Sequence, residues 1–251
     1  MAAVRALVLL AGCAAIPTAS CAPGRSAEPL LVFAASSALP AVQAAAERFP
    51  SAEVRISAGS TSALGRQILD GAPADLFVSA SRDWIDALAA RGALLDPPAI
   101  LCFNRVVCVA ARGSRLSAGT ARELAAALPE GARIAVGDSG VPVGDEARRL
   151  LEASGALPAL AGRFVRLPDA LAVIRAVSTG NADAAFAFAT DAEREGLRIL
   201  FRLGRAADIT YLIAIPRTCR HRDLARRLRR HLLSAPTREE LRSMGFGVPP
   251  R

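Results

Sequence analysis

The residues best placed to do chemistry in this 251-residue chain are hydroxyls and small residues where an apolar strand pattern gives way to a helical one. In FAASSAL (33–39) a strand ends and a helix begins, with Ser37 inside the junction. SAGSTSAL (57–64) repeats the arrangement and sets Ser60 and Thr61 ahead of the next helix. GDSGVPVG (137–144) leads into a third, where Val143 and Gly144 offer backbone amides, and LPDA (167–170) places the Ala170 amide in the first turn of a fourth. Helix N-termini leave N–H groups unpaired and carry partial positive charge, so several of them facing one crevice hold an anion without any cationic side chain. Taken singly, each hydroxyl also reads as an ordinary N-cap worth about 1 kcal/mol. Recurrence after successive strands points to a ligand, because α/β sheets bind ligands at the carboxyl ends of their strands.

The elements that must position these groups follow one another in regular order. Short apolar runs predict strands at 30–34, 54–57, 75–79, 105–111, 133–137, 164–167, 184–189 and 209–215. Between them lie stretches with apolar residues at helical spacing, among them LPAVQAAAERF, SALGRQIL, RDWIDALAARG, ARELAAAL, GDEARRLLEASG and ALAVIRAVSTG. Such alternation predicts an α/β fold. The length suffices for two lobes, yet there is no internal repeat and no low-complexity linker, so the chain must cross between lobes within strands. The expected crossings are near 104–107 and 211–215. They divide the chain into a leader at 1–28, a first lobe at 29–104 plus 216–251, and a second lobe at 105–215.

Composition narrows the function classes. Hydrophobic residues at 52% and charged residues at 22% are ordinary for a globular protein, which sets disordered and fibrous classes aside. The formal charge is +8, with no lysine anywhere. The densest basic stretch, RTCRHRDLARRLRRHLL (217–233), carries Leu224, Leu228 and Leu232 at helical spacing and reads as a solvated amphipathic helix; nucleic-acid binding is not expected. After Arg5 the run ALVLLAGCAAI (6–16) is too short to span a bilayer but suits an export signal. Cys13 and Cys21 each follow a candidate lipoprotein-type processing site, with plain cleavage and release as the alternative. Beyond the leader Cys102, Cys108 and Cys219 remain, an odd number that rules out a complete disulfide framework within the chain. The only histidines, His221 and His231, lie in the basic region, no GxSxG elbow occurs, and no Cys/His cluster has metal-ligand spacing, so an enzyme is not expected.

The segments VFAASSAL (32–39), AGSTSALGRQILDGAPADLFVSAS (58–81) with Trp84, NRVVCVA (104–110), RIAVGDSGVPVG (133–144), PDALAVIRAVSTGNADAAFAFATDA (168–192) and LLSAPTREELRSMGFG (232–247) closely resemble the periplasmic molybdate-binding proteins of ABC importers. The likeness covers about residues 29–247. It implies a type II periplasmic-binding-protein fold: two α/β lobes, each a mixed sheet flanked by helices, joined by two crossing strands and closing over a tetrahedral dianion in the interlobe cleft. It also implies a periplasmic or otherwise extracytoplasmic monomer, without a cofactor, that delivers molybdate or tungstate to a permease with its ATPase. Molybdenum would be bound only as the oxyanion, and any membrane contact would come through a lipid anchor. Sulfate, phosphate and small organic acids are the alternative ligands.

Matching by motif carries the family's ligand contacts onto Ser37, Thr61 with Ser60 as the alternative, the Val143 amide and the Ala170 amide. Two positions depart from the family pattern. Where members commonly place a tyrosine whose hydroxyl reaches the anion, this chain has Phe188, which has no donor. The GDSGVPVG turn is one residue shorter than usual, which bears on the direction of the Val143 amide.

Overall fold

The computed structural model describes residues 28–204 and 209–250. The expected leader, with Cys13 and Cys21, lies outside the described residues. Among those described, no helix is long and apolar enough to cross a membrane.

The fold consists of two five-stranded mixed sheets built to the same plan. The first sheet contains β1 (Leu30–Ala35), β2 (Val54–Gly59), β3 (Leu76–Ser79), β4 (Ala99–Asn104) and β10 (Ile209–Ala214), in the order β2-β1-β3-β10-β4. The second contains β5 (Val106–Ala110), β6 (Ile134–Gly137), β7 (Phe164–Leu167), β8 (Ala184–Phe188) and β9 (Arg198–Leu203), in the order β7-β6-β8-β5-β9. In each, three neighbouring strands run parallel and the remaining two pair antiparallel. Strands β3, β5, β6 and β8 are buried along their whole length, which explains their unbroken apolar runs: helices cover both faces of the sheet.

Helices α1 (Leu39–Glu47), α2 (Thr61–Leu69), α3 (Arg82–Ala90), α9 (Arg222–Leu232) and α10 (Ala235–Ser243) belong with the first sheet. With the second belong α4 (Ala121–Ala127), α5 (Pro142–Ala153), α6 (Leu157–Leu160), α7 (Ala170–Ser178) and α8 (Ala189–Arg194). The arginine-rich α9 buries Ala225, Leu228 and Leu232, while Arg226 pairs with Asp96 and Arg229 donates to the Pro97 carbonyl on the outer surface. Asp75 ties the lobe's ends together by accepting from the N–H groups of Leu31, Arg220 and His221 and from the Cys219 thiol. All three cysteines beyond the leader are free and buried.

One expected boundary is corrected. The run at 209–215, assigned above to the second lobe, forms β10 and pairs antiparallel with β3 and β4 of the first sheet. The return crossing therefore falls between Leu203 and Ile209, ahead of that strand rather than at its end. An apolar strand carries no mark of which sheet it will join, and here the register decides: Ile209 lies opposite Asn104. On the other side of the crossing, Val106 lies opposite Leu203. Asn104 ends β4 and Val106 begins β5, so Asn104 and Arg105 form the first crossing.

Candidate functional site

The predicted residues occupy the entrances of helices that face the seam between the lobes. Ser37 sits in a 3-10 turn (Ser36–Ala38) between β1 and α1 and is 3% exposed. Ser60 is the N-cap of α2, its Oγ accepting from the Ala63 N–H at 3.3 Å. Thr61 is the first residue of α2 and is buried; its Oγ1 accepts from the Ala80 N–H at 3.1 Å, just past the end of β3. These partners separate the two hydroxyls. Ser60 Oγ also lies 3.3 Å from Ser62 Oγ, which can accept its hydrogen, whereas Thr61 has a lone pair engaged and its hydrogen accepted by no described group.

The second lobe contributes backbone. Pro142 opens α5 without an N–H, and the amides of Gly144 and Asp145 both donate to the Val141 carbonyl, at 2.9 and 3.0 Å. The Val143 amide is left without an acceptor among the described residues. A glycine at 144 is required for this placement, since a Cβ there would lie 1.9 Å from the Gly137 carbonyl oxygen at the end of β6. In α7 the Asp169 carboxylate caps the Ala172 N–H at 2.8 Å and the Asp169 carbonyl takes the Val173 N–H, so the Ala170 amide is likewise unaccepted among the described residues. Val143 and Ala170 are both buried.

The lobes meet around these entrances. A Cβ on Gly140, which has a φ of +81°, would lie 3.3 Å from the Ser62 side chain, so the loop before α5 rests on the first turn of α2. Helix α7 lies against the Ser36–Ala38 turn. Phe188, at the end of β8, has its ring centroid 6.1 Å from that of Tyr211 on β10. It brings a fully buried ring and no polar atom.

Beside Ser37 the structure places groups that the sequence reading did not single out. Tyr211, the chain's only tyrosine, is fully buried, with its hydroxyl 2.8 Å from Ser37 Oγ. Asn104 Nδ2 lies 2.9 Å from Thr190 Oγ1 and 3.4 Å from Tyr211 Oη, and Asn104 Oδ1 accepts from the Arg105 N–H at 2.9 Å. Burial, with the nearby negative charge of Asp191, holds the Tyr211 phenol well above its ordinary pKa, so it stays a neutral donor. Asp191 is buried too: desolvation pushes its carboxyl up to about 7 against the lowering effect of Arg194. Its Oδ1 pairs with Arg194 at 3.0 Å while Oδ2 has no partner. A lone tyrosine in an apolar strand and an asparagine at an expected crossing are the only sequence signals by which this cluster could have been found.

Comparison with known proteins follows the same lines. Residues 30–247 match the bacterial extracellular solute-binding protein family. The molybdate-binding protein ModA of Mycobacterium tuberculosis is 30% identical over 234 residues, spanning 90% of this chain and 87% of the relative. Among solved structures, the periplasmic molybdate-binding protein of Azotobacter vinelandii superposes with a TM-score of 0.78 at 20% identity, covering 88% of this chain and all of the other. The sulfate-binding protein SubI of Mycobacterium tuberculosis superposes with a TM-score of 0.74 at 16% identity, covering 88% of each chain. At such identities the structures show a shared fold.

Proposed function

The chain belongs to the bacterial extracellular solute-binding protein family, and from that membership we propose that it captures molybdate, with tungstate as a close substitute, and delivers it to an ABC permease and its ATPase. It acts outside the cytoplasmic membrane as a monomer, released or held by a lipid on Cys13 or Cys21, and it catalyses no reaction.

One observation carries the reading: the donors at the seam are neutral and have hydrogens to spare. Thr61 Oγ1 already accepts from a backbone amide, and Val143 and Ala170 each present an unaccepted N–H. Ser37 Oγ is paired only with Tyr211 among the described residues. A fully deprotonated tetrahedral dianion offers acceptors alone and matches such a set. Ser60 is the weaker candidate because Ser62 Oγ, 3.3 Å away, can take its hydrogen. Phe188 shapes the cavity without bonding.

In this reading the open protein presents half of the donors on each lobe, and the anion brings them together. Closure removes water from the bonds, which strengthens each of them. Release needs only the lobes to part, since no salt bridge has to be broken.

Sulfate is the second reading. It too is an acceptor-only tetrahedral dianion, and the sulfate-binding structure above shares this fold. Calorimetry of the mature protein against molybdate, tungstate, sulfate and phosphate tests both readings. One molybdate per chain is expected, and a hundredfold excess over Kd should add about 2.7 kcal/mol to stability. A preference for sulfate would move the assignment to the second reading, and no heat with any of the four would end it.

A further inference from the structure

We propose that Asn104, seated in the crossing between the lobes, is a positioning residue that acts through Tyr211 to turn the hydrogen of the Ser37 hydroxyl toward the anion. The proposal deepens the oxyanion reading and rests on it.

The direction of the chain of bonds follows from its fixed end. A backbone N–H only donates, so the atom of the Asn104 side chain that faces the Arg105 amide at 2.9 Å is the carbonyl oxygen. The Asn104 amide nitrogen must then face Thr190 and Tyr211, with two hydrogens for two hydroxyl oxygens. Tyr211 Oη is therefore a receiver from Asn104, across a long 3.4 Å contact, and its single hydrogen has one described acceptor, Ser37 Oγ at 2.8 Å. The reverse assignment would have Ser37 donate to Tyr211 and leave the phenolic hydrogen unpaired in a fully buried position, which is costly. With Tyr211 donating, Ser37 Oγ has a lone pair filled and its own hydrogen free. The fixed carbonyl of Asn104 thus propagates through two hydroxyls to the site.

Both Asn104 and Tyr211 lie where such a role needs them. Asn104 is 3% exposed, ends β4 and pairs across to Ile209 of β10, two residues before Tyr211. Thr190 belongs to α8 of the second lobe, so the asparagine holds partners from both lobes at once. The ring of Tyr211 is clamped between Phe188 at 6.1 Å and Phe246 at 5.6 Å, which keeps its hydroxyl aimed at Ser37.

A double-mutant cycle separates positioning from mere packing. Molybdate affinity would be measured by calorimetry for the parent, Tyr211→Phe, Ser37→Ala and the double variant, with a thermal melt of each to confirm folding. Tyr211→Phe keeps the ring and should weaken binding about tenfold in the parent background but less than about twofold once Ser37 is alanine. Asn104→Asp supplies a second arm. A carboxylate accepts from Tyr211 and reverses the bonds, so it should weaken binding at least as much as Ser37→Ala does. If the buried acid prevents folding, the cycle alone decides. Equal loss from Tyr211→Phe in both backgrounds, or no loss in the parent, overturns the proposal while leaving the oxyanion reading intact. No heat from the parent with any of the four anions overturns both.

Discussion

Replacing Thr61 by valine removes one oxygen and nearly preserves side-chain shape, and the structure assigns that oxygen two separable duties. Its acceptor side holds the Ala80 N–H at 3.1 Å, and Thr61 and Ala80 are both buried, so water cannot take over the bond. Stranding a buried N–H costs about 1–3 kcal/mol. In a chain of this size that lowers the melting temperature of the ligand-free protein by about 3–9 °C, at about 3 °C per kcal/mol. The donor side is proposed to serve the anion, and losing a charge-assisted bond of about 1.5–3 kcal/mol weakens binding about ten- to hundredfold. Thermal melts without ligand report the first duty, and calorimetry with molybdate reports the second. Thr61→Ser restores the oxygen and should recover most of both. If Thr61→Val melts lower yet binds molybdate within about threefold of the parent, the hydroxyl is only a strut between α2 and β3 and its place in the ligand shell is refuted.

Three further outcomes are expected. Gly144→Ala drives a methyl into the Gly137 carbonyl and should destabilise the protein by about 3 kcal/mol or prevent its folding, checked by urea unfolding; a neutral result would mean that α5 is not held against β6 as described. Asp191 has a folded pKa of about 7, above its ordinary value of 3.8, so the folded state holds the extra proton and stability falls as pH rises from about 4 to about 7. Asp191→Asn removes that titration, and its advantage over the parent should grow across the same window by on the order of 3 kcal/mol; parallel pH profiles from denaturant melts would show the acid is not protonated when folded. Phe188→Tyr adds the hydroxyl that the family resemblance implies at this position and should tighten molybdate binding about tenfold in calorimetry, whereas unchanged or weaker affinity would show that the pocket has been rebuilt around the ring.

The parts of this protein that sequence made legible are those dictated by local pattern. LLVFAA, LFVS, VVCVA and AAFAF are apolar except at Ser79 because both faces are covered, and each became a strand within a residue or two of its expected ends. Helix entrances were legible because Ser60 and Asp169 cap where such residues should. Strands β4 (AILCFN) and β9 (RILFRL) were not foreseen: each is a partly exposed strand at the edge of its sheet, held by pairing with one neighbour. The placement of β10 was also hidden, since antiparallel pairing with β4 is a relation between segments a hundred residues apart, and no local pattern encodes it. The same limit hid Tyr211 and Asn104. Their hydroxyl and amide matter only because that register brings them together beside Ser37.

A protein with a formal charge of +8 and a proposed anion site free of arginine divides attraction from recognition. Two arginines near the seam are already engaged: Arg148 donates to the Gly137 and Asp138 carbonyls and pairs with Asp145, and Arg194 pairs with Asp191. Placing one of them in the closed cleft would mean desolvating a guanidinium along with the anion, and in the empty protein it would remain a buried charge without a partner. Neutral donors avoid that penalty in both states, so the site can empty as well as fill. The surface excess of positive charge can still raise the local concentration of a dianion and speed its arrival, an effect that salt screens over about 10 Å at 0.1 M. It follows that the association rate for molybdate should fall as salt rises, while the dissociation rate, governed by hydrogen bonds inside the closed cleft, should change little. Stopped-flow binding across a salt series measures both, and a dissociation rate that rises with salt as steeply as association falls would mean that a charged side chain holds the anion after all.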